Sequence, residues 1–424
     1  MRFTLIFLLM TGFCSFIFGQ EVLYDESKVP DYKLPELLTT FDGKPVEDVS
    51  AWESVRRPEI LDVFREQMYG TIPEKQVNVE FNVHEKWNNV LDGLAIMKEV
   101  DLIFSNENGK DSARLLLFLP SDSKGPVPVF LGLNFYGNST THPSGHISLH
   151  HSWVRDNPLF LVSDNKLDNQ SRGVRDSRWP VEYILRHGYG LGVIYYGDLD
   201  PDFDDGFQNG LHPLFYTDGQ TKPTENQWGS IGLWSWGLSR ALDYLETDND
   251  VDNEKVIVFG HSRLGKTSLW AGAQDQRFAG VISNDSGCGG AALSRRKFGE
   301  TIVIINKAFP HWFNDYFNRY SNHEENMPFD QHMLISLMAP RPVYIASAAE
   351  DEWADPHGEY LSGYYAGPAY KLYGKNIPAS EESPAVNNPR MTESVSYHIR
   401  SGGHDVTRYD WAQYIRWAEE YIND

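Results

Sequence analysis

The segment Val256-Ile257-Val258-Phe259-Gly260-His261-Ser262-Arg263-Leu264-Gly265-Lys266 narrows the possible folds more than any other part of this 424-residue chain. An apolar run enters a Gly-x-Ser-x-Gly turn and leaves it with helical composition, the pattern in which a strand hands a serine to a tight turn ahead of a helix. Such a turn lifts the hydroxyl clear of the sheet, where it can attack a carbonyl. Glycines on both sides let the backbone pack closely and tolerate the strain. A serine hydrolase is the leading expectation, but five residues alone are a weak signal and the context has to strengthen it.

That context is a chain of strand-like segments at 77–83, 94–104, 114–119, 127–133, 190–195, 256–259, 280–284, 343–346 and 395–399. The first alternates with a period of two and is expected to bury one face. Helical spacing marks 52–69, 180–186, 228–245, 265–274 and 409–421. Strand pairs early and strand–helix alternation later predict a mixed, mostly parallel sheet covered by helices on both faces, the α/β-hydrolase architecture. Long stretches around 138–178 and 310–328 read as excursions at the catalytic rim.

Met1 and Arg2 followed by an apolar stretch over residues 3–18, ending at Gly19-Gln20-Glu21, read as a secretory signal peptide over 1–19. The alternative is a transmembrane anchor, for which the stretch is short. Phe13, where a lipoprotein signal wants a small residue, argues against lipidation at Cys14. With Cys14 removed only Cys288 remains, so the mature chain has no internal disulfide. Residues 20–50 form an irregular, Pro-containing lead-in, and 51–424 a single catalytic domain. At 41% hydrophobic residues with 12 Trp, this domain can bury a large core. The net charge of −22 and a pI near 5.0 oppose binding to nucleic acid or an anionic membrane. A monomeric protein, secreted or periplasmic and needing no cofactor, is expected.

The serine needs a base, and in this architecture it comes last, on a loop after the final strand. His404 in Ser401-Gly402-Gly403-His404-Asp405 sits there. A carboxylate must then orient the imidazole, and two places compete: Asp351, after the next-to-last strand, and Asp285, after the strand that follows the serine turn. Either is also a plausible turn former. Arg263 and Lys266 put two cations at a helix start, against the helix dipole, which points to function over local stability. Residues 197–206 resemble a calcium loop but lack the closing glutamate, since Leu211 stands there, and a rim loop is the better reading. His142, His146, His150 and His151 have ligand-like spacing, but Pro143 and Gly145 argue for a loop. No metal is assigned. On the segment 227–246, Ile231, Trp234, Leu238, Leu242 and Leu245 share a helical face, so its tryptophans are expected in the core.

Three features occur together: the extended Gly-x-Ser-Arg-x-Gly-Lys turn, the Ser286-Gly287-Cys288-Gly289-Gly290 loop, and Glu350-Asp351-Glu352-Trp353-Ala354-Asp355-Pro356. With them the chain resembles the bacterial glucuronoyl esterases of carbohydrate esterase family fifteen, from about Trp52 to the C-terminus. The resemblance implies cleavage of esters between glucuronic acid side groups of xylan and alcohol groups of lignin, so a glucuronoxylan or lignin-carbohydrate ester is the implied substrate. It implies Ser262 as nucleophile, His404 as base and Arg263 as oxyanion stabiliser. It also implies Lys266 on the sugar hydroxyls, with Glu300 and Trp353 holding the uronate ring. Fungal relatives carry a glutamate at the position of Asp285 and a cysteine at that of His261, and they have disulfides that this chain lacks. Two rivals remain: an acetyl xylan or pectin esterase on the same fold, and an inactive carbohydrate-binding protein.

Overall fold

A computed structural model describes residues 22–150 and 152–423. The expected signal peptide and His151 lie outside the described residues. Among these, nine strands form one sheet: β1 (Asn78–Val90), β2 (Ala95–Asn106), β3 (Gly109–Pro120), β4 (Val127–Asn134), β5 (Gly190–Tyr195), β6 (Val251–His261), β7 (Gly280–Asn284), β8 (Val343–Ala348) and β9 (Val395–Arg400). Their order is β1-β2-β3-β5-β4-β6-β7-β8-β9. The first three form an antiparallel meander, β5 runs antiparallel to β3, and every pairing from β5 through β4 to β9 is parallel. This is the α/β-hydrolase fold expected from the sequence.

The central strands read as unbroken apolar runs because both faces are covered. Along β6, Val256 and Val258 enter one core with the helices Ser230–Leu245 and Arg263–Gln274. Ile257 and Phe259 enter the other, against Trp411, Tyr414 and Trp417 of the closing helix Arg408–Tyr421. Trp228 and Trp234 are buried, as their helical face predicts. The lead-in is irregular but docked: Leu37 and Val46 join the core, and Glu26 pairs with Arg296.

Two expectations need correction. The strand expected over 77–83 runs on to Val90, and beyond Phe81 it is largely exposed, Val83 at 48%. It is an edge strand with one neighbour, so its second half is held by backbone pairing and carries no apolar alternation to read. The sequence also marks no helix where Pro356–Leu372 forms one. Pro368 and three glycines hide it, and two of those glycines are there for packing. A Cβ on Gly363 or Gly367 would stand 2.8 Å from Val395 or Ile377.

Because β4 lies between β5 and β6, the chain leaves the carboxyl ends of β4 and β6 in opposite directions and opens a crevice there. Phe135 follows β4 and Ser262 follows β6 at this crevice. The turn at Ser262 depends on Gly260, where a Cβ would lie 1.8 Å from the Leu264 carbonyl oxygen and 2.3 Å from its carbon. Gly260→Ala is therefore expected to cost about 3 kcal/mol and to abolish hydrolysis. Thermal unfolding with wild-type midpoint and full activity would contradict this account of the turn.

Candidate active site

Ser262 has φ 58° and ψ −130°, a strained conformation for a residue with a Cβ. Its own backbone holds it there. The Ser262 N–H donates to the Asn284 carbonyl at 2.8 Å, and its carbonyl accepts from Gly265 at 2.8 Å and Lys266 at 3.2 Å. The hydroxyl thus stands at the end of the crevice, beside the N–H of Arg263, which as first residue of its helix has no intrahelical acceptor.

His404 lies on the loop between β9 and the closing helix, with its side chain 42% exposed. Packing does not place it, so the loop backbone must. Arg400, itself buried, does this by spending its guanidinium on the loop. Nη1 donates to the Ser401 carbonyl at 3.0 Å, and Nη2 to those of Gly403 at 2.9 Å and Asp405 at 2.5 Å. Its Nε donates to Asp410 at 2.9 Å, and Asp410 also accepts from the Thr407 N–H at 2.7 Å, capping the closing helix. His404 is thereby presented with Nδ1 2.6 Å from Asp351 Oδ2 and its ring against that of His261, centroids 4.4 Å apart. Ser262 and His404 line the same cleft. Burial holds His261 neutral, with the nearby Arg178 and His404 adding to the effect, so it adds no competing charge.

Both candidate acids reach this histidine. Carboxylate oxygens of Asp285 and Asp351 and a ring nitrogen of His404 lie within 4.8 Å of one another. Asp351 makes the hydrogen bond. Asp285 sits behind it, fully buried, with Oδ1 unpartnered and Oδ2 3.6 Å from Arg400. Burial, reinforced by Glu359 and Asp351, pushes its carboxyl well above the usual range. The loop after Asp285 hangs on Glu359 of the helix Pro356–Leu372, which accepts from the Ser286 and Gly287 N–H groups at 2.8 and 2.9 Å and from Ser347 at 2.6 Å. Burial pushes the Glu359 carboxyl up to about 7.

The Arg263 guanidinium lies among the rings of Phe135, Phe309 and Trp312, 4.7 Å from the last, and its Nη1 donates to Asp202. Asp202 is 1% exposed and also accepts from Trp312 Nε1 at 2.7 Å and the Tyr196 hydroxyl at 3.0 Å, with His311 Nε2 at 3.0 Å. Burial alone would raise its pKa, but Arg263 and His311 hold it well below the usual carboxylate range. Lys266 is buried, donates to the Ser286 carbonyl and sits 5.9 Å from the Trp312 ring. Burial lowers its pKa, opposed by Glu300. The Glu300 N–H donates to the Trp353 carbonyl at 3.0 Å, and burial raises its carboxyl against the pull of Lys266. Lys266, Glu300 and Trp353 are therefore brought together, as expected.

Comparison with known proteins identifies the family. A family model described as glucuronyl esterase of fungi matches residues 216–374. A carbohydrate esterase from an unidentified prokaryote is 48% identical over 94% of this chain and 92% of its own. The chain belongs to the glucuronoyl esterases of carbohydrate esterase family fifteen. A solved structure described as a promiscuous family-fifteen esterase from a marine bacterial metagenome superposes with a TM-score of 0.89, at 48% identity over 95% of this chain and all of that one. The glucuronoyl esterase from Solibacter usitatus gives 0.87, at 44% identity over 93% of this chain and 99% of that one. This esterase is accordingly a carboxylic ester hydrolase.

The residues that build the rim of this esterase were the hardest to foresee. The segment 197–206, weighed as a calcium loop, spends its buried aspartates on protein donors: Asp198 accepts from Ser152 at 2.6 Å, Asp200 from Ser230 at 2.5 Å, and Asp202 anchors Arg263. The clustered histidines take separate partners, His142 beside Glu182 and His150 beside Asp198. Asp202, His311 and Trp312 carried no local signal, since their meeting joins positions more than 100 residues apart. Asp202→Asn would leave the Arg263 guanidinium without its counter-ion and is expected to cost about 3 kcal/mol. Unfolding in urea reads this, and a midpoint within error of wild type would show that the pair does not anchor the arginine.

Proposed function

We propose that this esterase is exported and hydrolyses esters of glucuronic acid, including its 4-O-methyl form, such as those linking glucuronoxylan to lignin alcohols. The observation that carries the substrate reading is the grouping of Lys266, on the helix that the serine begins, with Glu300 and Trp353: a cation, a carboxylate and an aromatic face suit the hydroxyls and ring of a uronic acid. Among the described residues no helix is long and apolar enough to cross a membrane. The domain organisation follows the same reading: a leader over 1–19, a docked lead-in and one catalytic domain.

Ser262 attacks the uronate carbonyl while His404 takes its proton, and Asp351 holds the imidazole in the tautomer that accepts at Nε2. The oxyanion forms against the Arg263 N–H and guanidinium. Because Asp202 fixes that guanidinium before substrate arrives, no reorganisation is needed as charge develops. His404 then protonates the departing alcohol, and a water activated by the same ring releases glucuronate from Ser262. Asp285, whose burial raises its pKa, stands behind and supports the histidine loop, while Asp351 makes the hydrogen bond to the ring.

Hydrolysis of benzyl glucuronate, methyl glucuronate and acetylated xylose by wild type and Ser262→Ala tests the class. The uronate esters should be preferred, with Ser262→Ala lowering turnover at least about 10⁴-fold while still binding free glucuronate. Serine-dependent cleavage of the acetyl ester alone would overturn the substrate reading. The two acids separate in the same assay: Asp351→Asn should lower kcat by roughly 10²- to 10⁴-fold, and Asp285→Asn by less than about tenfold because Asp351, not Asp285, hydrogen-bonds the ring. The reverse order would transfer the role to Asp285. For the acyl side, Lys266→Met or Glu300→Gln should raise KM for the uronate esters about tenfold and leave any slow acetyl ester cleavage untouched. Equal losses on both substrates would mean these residues do not read the uronic acid.

A further inference from the structure

The cleft that opens at Ser262 and His404, about 190 Å³ in volume, has a second wall made by the excursion between β4 and β5. Arg155, Arg175 and Arg178 line that wall. Asp405 of the histidine loop accepts from Arg178, lies 3.6 Å from Arg175 and is 46% exposed, while Arg155 donates to the Asp202 backbone carbonyl at 2.8 Å. On the serine side Arg263 is already matched by Asp202, and His261 is neutral. Positive charge is thus left over, in a chain whose net charge is −22. Burial, with repulsion from Arg178, pushes the Arg175 pKa down to about 10, the strain that an incoming anion relieves.

The rim beside these arginines is apolar. The Arg175 guanidinium lies over Phe160, 4.3 Å from the ring centroid, and Phe160 meets Tyr136 edge-on at 4.8 Å. On either side of Phe160, Leu159 and Leu161 are 79% and 51% exposed, at the tip of a turn closed by the bridge between Asn157 and Val162. Leu161 takes φ 56° there, an unfavourable value for a leucine. Two exposed leucines flanking the half-buried Phe160, next to a cationic wall, form a surface suited to a ligand with both characters. Lys266, Glu300 and Trp353, which the proposed function assigns to the uronic acid, do not line this cleft. On that reading it receives the other half of the ester.

We propose that the cleft is a leaving-group subsite for an aromatic alcohol that itself carries a carboxylate, its ring on Phe160 and the adjoining leucines and its carboxylate on Arg175 and Arg155. The planar guanidinium suits this task, since it pairs with a carboxylate through two parallel N–H groups while its face stays on an aromatic ring.

The test compares kcat/KM for benzyl glucuronate with that for its meta- and para-carboxybenzyl counterparts, using the full-length protein at low and high salt. Wild type should prefer at least one carboxybenzyl ester about tenfold, and the preference should shrink as salt rises. Arg175→Gln should bring the ratio of carboxybenzyl to benzyl ester towards one, and Arg175→Lys should retain part of it. Arg155→Gln, on an exposed loop residue, gives the same readout should Arg175→Gln fail to fold. Inhibition of benzyl glucuronate cleavage by meta- and para-(hydroxymethyl)benzoate, stronger than by acetate, assigns the site to the carboxylated alcohol over any small anion. Rapid cleavage of all the uronate esters with no preference for a carboxybenzyl ester would overturn the subsite. Failure to cleave any uronate ester would instead overturn the function on which it rests.

Discussion

The active site depends on one buried guanidinium. Arg400 ends the last strand and fixes three successive points of the loop that follows, while its Nε is held by the aspartate that caps the closing helix. Packing does not lock His404, whose side chain is 42% exposed. The protein instead fixes the backbone on either side and leaves the ring partly in solvent. The cost of burying Arg400 is offset by hydrogen bonds from four of its five N–H groups and by the Asp410 carboxylate, which is how a buried charge is tolerated. Without that clamp, Asp351 and Ser262 would still stand where the sheet puts them, but the group joining them would not.

The same logic places the second cation. Arg263 is held among aromatic rings by an aspartate that is itself saturated with donors, so its charge is aimed before substrate binds. Fixed dipoles and charges of this kind stabilise a developing oxyanion better than mobile ones, because none of the binding energy is used to orient them. The two arginines differ in what they do: Arg400 orders backbone, whereas Arg263 is itself ordered, by Asp202 and three aromatic rings.

Much of this could be read from the sequence where a local pattern carries the physics. The serine turn, its strand and its helix share one continuous stretch, and His404 is marked by its position after the last strand. The sequence points equally to Asp351 and Asp285, because only the fold shows that one bonds the ring and the other is buried behind it. The helix carrying Glu359 is invisible in the sequence because its close-packing glycines look like helix breakers. Asp202 reads only as part of an acidic loop, because its partners come from distant segments. The arginines of the second wall lie on an irregular excursion with no period, so nothing in their spacing announces that they converge.

The two halves of the site have different origins in the chain. The serine, both acids and the residues grouped with Lys266 sit on the serine helix or on stretches that follow the carboxyl ends of β6, β7 and β8. The opposite wall belongs mainly to a single insertion between β4 and β5, tied to the rest by contacts such as Arg178 with Asp405, Ser148 with Glu99 and Arg155 with the Asp202 carbonyl. Loops of this kind tolerate change that strands do not. A lineage could therefore exchange that one insertion and acquire a different preference among alcohols while its chemistry and its hold on the acid stayed the same, so related enzymes can diversify on one side of the bond alone.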